Sequence, residues 1–280
     1  MKNILSFDIE EHFQVSGLAA AVSRDSWDSH KSRVEQNTHK ILKLLDRYQV
    51  RATFFILGII AEKHPQLVRE IAESGHETAS HGYDHKLIYD MSNDQFREEL
   101  IKTNDILESI TNKKIIGHRA PSFSIGLADI DKFAILADLG FKYDSSLFPI
   151  KHFRYGDAQN APLAPFMVKK DSKSLLKEFP LTVVDLFGKR IPAAGGGYFR
   201  LYPNFLIRRN IRIANSEQRP TIVYLHPWEF DPDQPRIKGA GRGNTFRHYV
   251  NLHRTHGKLE MMLKRFQFCS FAEYMGQKKD

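Results

Sequence analysis

At 280 residues, 41% hydrophobic and 26% charged, the chain can bury the core of one large domain. Its single cysteine, Cys269, excludes an intrachain disulfide framework and a cysteine-rich zinc site. A formal charge of +8 leaves an anionic polymer or peripheral contact with a membrane surface open, but no basic run interleaved with aromatics points to nucleic acid.

The first apolar run, residues 2–9, suits a buried strand, and Val34, Ile41, Leu42, Leu45 and Tyr48 then recur at helical spacing. Residues 51–57, rich in β-branched and aromatic side chains, predict a second strand. Pro65 opens a helix that Gly75 closes, and 77–80 is the third strand. Ser92 and Gln95 form a capping box for a long helix with Phe96, Leu100, Thr103, Leu107 and Ile110 on one face. Residues 115–118 predict a fourth strand, 129–139 a helix ended by Gly140, and 141–144 a fifth strand. The pattern loosens from 145 to 202, where only 178–184 reads as a strand. It returns with a helix near 203–215 and a last strand at 221–225. No apolar run approaches the ~20 residues that crossing a bilayer requires, and residues 1–10 lead into a strand with no signal-peptide core, so a cytoplasmic location is expected.

Repeated strand–helix alternation predicts an α/β fold of parallel strands with crossover helices, and about seven such units suggest a barrel or a partly closed one. In such a barrel the C-terminal strand ends share one rim, where active sites are built. Asp8 and Glu10 end the first strand and His81 and His85 follow the third. Arg119 follows the fourth, Asp144 ends the fifth, and His226 ends the last. Two imidazoles four positions apart and one carboxylate make a three-ligand site with an open position, suited to metal-assisted hydrolysis. Strand periodicity puts residues 8 and 10 on one face and 11 on the other, so Glu10 is the expected ligand and Glu11 the fallback.

In order, Asp8-Ile9-Glu10, His81-Gly82-Tyr83-Asp84-His85, Arg119-Ala120-Pro121 and Leu225-His226 resemble the motifs of the polysaccharide deacetylases (the NodB-homology family, carbohydrate esterase family four). The longer string at residues 7–15 and Gly195-Gly196-Gly197-Tyr198-Phe199-Arg200 resemble a subgroup associated with bacterial exopolysaccharide synthesis that carries an extra C-terminal segment. The resemblance spans about residues 4–230 and implies a single-domain, distorted (β/α) TIM-like barrel of about seven parallel strands over residues 1–230, with 231–280 as an extension packed on it. It implies metal-dependent removal of acetyl groups from N-acetylated sugars, with Asp8 as general base, His226 as general acid and Arg119 pairing with the base. In this reading Asp144 hydrogen-bonds His226 and keeps it protonated. Many family members have two adjacent aspartates where this chain reads Asp-Ile-Glu-Glu, and the longer glutamate arm bears on the choice of metal. Zinc is the default for two imidazoles and a carboxylate, and cobalt, nickel or iron fit similar ligands.

Tyr83 and Pro121 of the matched motifs, with Gly196, Tyr198 and Trp228, are the expected substrate contacts; the triple glycine is either a close-approach loop for a sugar or a plain turn. His12, His76 and His118 are among the histidines given no role. Two other functions stay open: hydrolysis of a small cyclic amide or ureide at the same site, and a non-catalytic sugar-binding barrel.

Overall fold

The computed structural model describes residues 1–150, 161–186, 188–193 and 195–277. Its strands are β1 (Asn3–Ile9), β2 (Thr53–Ile56), β3 (Glu77–Ser80), β4 (Gly117–His118), β5 (Tyr143–Asp144), β6 (Phe166–Lys170), β7 (Lys173–Glu178), β8 (Val183–Leu186), β9 (Lys189–Pro192), β10 (Ile222–Leu225) and β11 (Phe268–Cys269). The helices are α1 (Val34–Arg47), α2 (Gly58–Lys63), α3 (Pro65–Glu73), α4 (Asn93–Thr111), α5 (Ile130–Asp138), α6 (Gly196–Leu201), α7 (Asn204–Ser216), α8 (Arg242–Tyr249), α9 (Thr255–Leu263) and α10 (Phe271–Gln277).

One sheet runs in the order β10-β1-β2-β3-β4-β5-β7-β6, with β11 beside the start of β1. Every pairing from β10 to β7 is parallel, and only β6 is antiparallel. This is an α/β fold with a mostly parallel sheet, a distorted barrel whose last gap no strand pairing among the described residues closes. The chain leaving β7 lies there instead: Ser145 Oγ donates to Phe179 O at 2.9 Å, and Ile222 N donates to Thr182 Oγ1 at 2.8 Å. Ile4, Phe55, Ala79, Tyr143, Phe179, Ile222 and Phe271 pack together as one core. A second, larger core, including Leu5, Phe7, Phe54, Ile56, Ile41, Leu45, Val68 and Leu100, lies between sheet and helices.

The expected capping box of α4 is present, with Ser92 Oγ accepting from Gln95 N and Gln95 Oε1 accepting from Ser92 N, and Asn112 ends the helix with a left-handed φ of 53°. The strand expected at 178–184 is two strands. Pro180, which has no N–H to offer a ladder, falls between the end of β7 and the start of β8. The antiparallel pairs β6–β7 and β8–β9 lie in the region where the sequence pattern loosens.

The segment after residue 230 is tied into the barrel. β11 joins the sheet, Phe271 N donates to Thr53 Oγ1 at 2.9 Å, and α8 packs on the turn at Ser16–Leu18. Among the described residues no helix is long and apolar enough to cross a membrane.

Candidate active site

β1 carries Asp8 to the rim, and Glu10 follows one residue beyond the strand. Glu11 turns the other way. Its carboxylate accepts from Ser32 Oγ, Arg33 N and Val34 N, and so meets the free N–H groups at the start of α1, where no N-cap side chain serves them.

Glu10, His81 and His85 are buried, and one ligating atom from each lies within 4.8 Å of the others. Glu10 Oε2 is 2.9 Å from His85 Nε2 yet has no hydrogen bond in good geometry. A buried carboxylate oxygen left unsatisfied between two imidazoles fits a cation-binding site. His81 Nδ1 lies 2.8 Å from the carbonyl of Arg119, so that nitrogen is the donor and Nε2 presents its lone pair to the cluster. Burial lowers the His81 pKa to about 4, which keeps the imidazole neutral as a ligand must be. Burial by itself would raise Glu10, but the imidazoles of His85 and His226 outweigh it and hold the carboxyl at about 2. His85 has a φ of 59°, and Ser122 and Phe123 on the pocket wall have φ of 51° and 56°. Three non-glycine residues in the left-handed region around one pocket mark a site whose shape the fold enforces at a local cost.

Asp8 stands beside this cluster. Its Oδ1 accepts from Arg119 Nη1 at 2.7 Å. The guanidinium is fully buried; it also donates to Ser6 Oγ, Ser145 O and Ser145 Oγ, and lies 4.1 Å over the Phe55 ring. A buried arginine with that many bonded N–H groups is a fixed clamp.

His226 faces Asp8 from β10, with Nε2 3.8 Å from Asp8 Oδ2 and 3.6 Å from Glu10 Oε1. Its Nδ1 lies 2.7 Å from Glu229 Oε1, and its backbone N–H donates to the same oxygen at 3.0 Å. Burial opposes protonation of His226, but Glu10, Glu229 and Asp8 around it push its pKa up to about 9. Glu229 Oε2 accepts from Arg200 Nε at 2.6 Å, and Arg200 also donates to the carbonyls of Arg247, His248 and Val250.

Residues 25–143 match the polysaccharide deacetylase family model, and 145–276 match a domain of unknown function, DUF3473. Residues 25–143 form a polysaccharide deacetylase domain. A Bacillus cereus peptidoglycan-N-acetylglucosamine deacetylase is 42% identical over 73 residues, 26% of each chain. A Helicobacter pylori peptidoglycan deacetylase is 31% identical over 123 residues, 42% of this chain and 41% of the relative. The chain thus spans under half the length of these curated relatives. A solved Mycobacterium smegmatis protein assigned as a polysaccharide deacetylase shares the fold, with a TM-score of 0.60 at 20% identity over 99% of this chain and 91% of the other. Within this chain, Asp8 and Glu10 precede the deacetylase match, while Arg200, His226 and Glu229 fall in the second matched segment.

The structure corrects several expectations. Asp144 does not reach His226. It pairs with its neighbour across the sheet, His118, at 2.6 Å, and bonds Ser146, on the side of the sheet lined by Phe96 and Phe141. Glu229 holds His226 instead. Its signal was available in the sequence, as a glutamate three residues after His226 in a His-Pro-Trp-Glu turn with capping-box spacing. Tyr83 does not line this pocket: its hydroxyl donates to Glu62 at 2.5 Å and Lys102 Nζ sits 3.4 Å from its ring centre. Pro121 is buried next to the pocket, whose wall is made by Ser122 and Phe123. Tyr198 packs on Tyr202 rather than in the pocket.

Trp228 does line the pocket, but not as a platform for sugar. Its ring is stacked between His226 and His248, at 5.1 and 4.3 Å, and Nε1 donates to Glu10 Oε1 at 3.1 Å. It positions the acid and the expected ligand together. Gly196 lines the pocket. The triple glycine has a packing reason as well, because a Cβ on Gly195 would fall 2.2 Å from the Tyr224 ring.

Proposed function

We propose that this pocket hydrolyses the N-acetyl group of an acetylated carbohydrate, with Glu10, His81 and His85 holding a divalent cation, zinc by donor type. One observation carries the reading: the three-ligand cluster lies beside both a buried carboxylate clamped by arginine, Asp8, and a histidine held protonated by carboxylates, His226. A cation bound there would polarise the acetyl carbonyl and acidify a water beside it.

The chain's own residues supply the proton transfers. Asp8 Oδ2, on the oxygen that Arg119 leaves free, accepts a proton from the attacking water as its oxygen bonds to the carbonyl carbon. His226 Nε2, aimed into the same space, donates its proton to the amide nitrogen. The C–N bond then breaks, giving acetate and a free amine. Glu229 stabilises the imidazolium before transfer, and Trp228 fixes the plane of the ring. Arg119 holds the base on one side and His81 on the other through its backbone carbonyl.

Protein loaded with zinc, cobalt or nickel, incubated with N-acetylglucosamine oligomers and separately with an allantoin-like ureide, tests this. Acetate release that chelation abolishes is expected. Ring opening of the ureide without acetate from any sugar would overturn the proposal.

A further inference from the structure

The chain has no aspartate or glutamate between Asp233 and Glu260, whereas Arg236, Lys238, Arg242, Arg247, Arg254 and Lys258 fall in that stretch. Lys258 is taken up by the carbonyls of Phe199, Arg200 and Tyr202, and Arg236 lies over the Tyr249 ring. Arg247 is different. It is exposed, and α8 brings it to the wall of the catalytic pocket, beside Asn244, Gly197 and Tyr224. No carboxylate of the described residues pairs with it.

Its placement is tied to the catalytic groups. Arg200 Nη2 donates to Arg247 O at 3.0 Å, the same guanidinium holds Glu229 at 2.6 Å, and Glu229 holds His226 at 2.7 Å. The Arg247 side chain runs over Gly197, where a Cβ would come within 3.3 Å of Arg247 Cγ. The last glycine of the triplet therefore makes room for this arginine. An unpaired cation built into a reaction pocket faces whatever enters. A neutral sugar needs no such group, whereas an anionic one gains a charge partner on the pocket wall.

We propose that the substrate carries an anionic group, carboxylate or phosphate, next to its N-acetyl sugar, and that Arg247 is the specificity-determining residue that pairs with it. The inference rests on the deacetylase reading. Arginine suits the role because its planar fork binds either oxyanion through two N–H groups. A carboxylate would come from a uronic acid within a polymer, a phosphate from a sugar-phosphate precursor.

The test measures kcat/KM for acetate release by the full-length, metal-loaded protein at low salt. Its probes are neutral N-acetylglucosamine oligomers, oligosaccharides alternating N-acetylglucosamine with glucuronate, and a nucleoside-diphosphate N-acetylglucosamine. Wild type should prefer one anionic probe over the neutral one by about tenfold, the scale of a single charge pair at a partly desolvated site. Which anionic probe it prefers identifies the source. Arg247→Gln should collapse that ratio, whereas Arg209→Gln, which removes an equal charge from exposed α7, should keep it. A ratio unchanged in Arg247→Gln, or a wild-type preference for the neutral probe, overturns the inference. If no probe releases acetate, the deacetylase reading fails. Calorimetric binding of the deacetylated glucosamine–glucuronate oligomer then decides the inference separately: salt-sensitive binding weakened in Arg247→Gln supports it, and equal or absent binding in both proteins refutes it.

Discussion

Asp8 and Arg119 form an ion pair of 2.7 Å with both side chains shut away from solvent, and the carbonyl of the same arginine orients His81. One residue thereby sets the distance between the base and the ligand cluster. Asp8→Asn keeps the shape of that contact and removes the proton acceptor. Acetate release should fall by roughly 10²–10⁴, the usual contribution of a general base. Metal content by elemental analysis should stay unchanged, and loss of metal would move Asp8 from base to ligand.

Glu10 and Glu11 are neighbours with opposite tasks, so their substitutions should separate cleanly. Glu10→Gln should lose bound metal and activity together. Glu11→Gln should retain metal but lower stability by about 1 kcal/mol, the scale of a lost helix-start contact. Elemental analysis and a urea melt on both variants read the two effects.

Glu229→Gln should change the pH profile rather than the fold of the pocket. A general acid must be protonated, so turnover falls as pH rises through the pKa of His226. Glu229 is one of the carboxylates that raise that pKa to about 9. Neutralising it should move the alkaline limb of kcat to lower pH. A limb that stays in place would show that His226 is not the titrating acid.

Two other buried histidines set a limit on the acid side. Burial, with nearby arginine, depresses His76 to about 4 and His248 to about 3. Between those values and about 6.5 the unfolded chain takes up protons that the native protein refuses, so stability is full above about 6.5 and declines as pH falls, by up to roughly 1.4 kcal/mol per pH unit for each group. Urea unfolding at pH 7, 5.5 and 4.5 should show that decline in metal-free protein, and His76→Gln should flatten it.

The rim could be read from the sequence because it depends on local rules. Buried runs and capping residues locate the strands and helices, and the two-residue strand period alone separates Glu10 from Glu11. Asp144 could not be assigned the same way. It does end a strand, but whether its side chain meets His226 or His118 depends on its partner across the sheet. The role of Trp228 depends on His248, twenty residues on, and the Arg200 clamp on backbone carbonyls, which have no sequence signature. The hairpin β6–β7 is short and lysine-rich and the strands of β8–β9 have four residues each, with no apolar alternation to mark either.

The grip of Arg200 on the carbonyls of Arg247, His248 and Val250 also couples the acid to the seating of a remote helix. The ligand cluster and its base are drawn from residues 8–119. The acid leans on a longer reach of chain: its carboxylate partner is braced by an arginine whose remaining N–H groups are occupied only while residues 247–250 are docked. Any contact that loosened α8 would slacken the proton donor while leaving the cation site and the base in place.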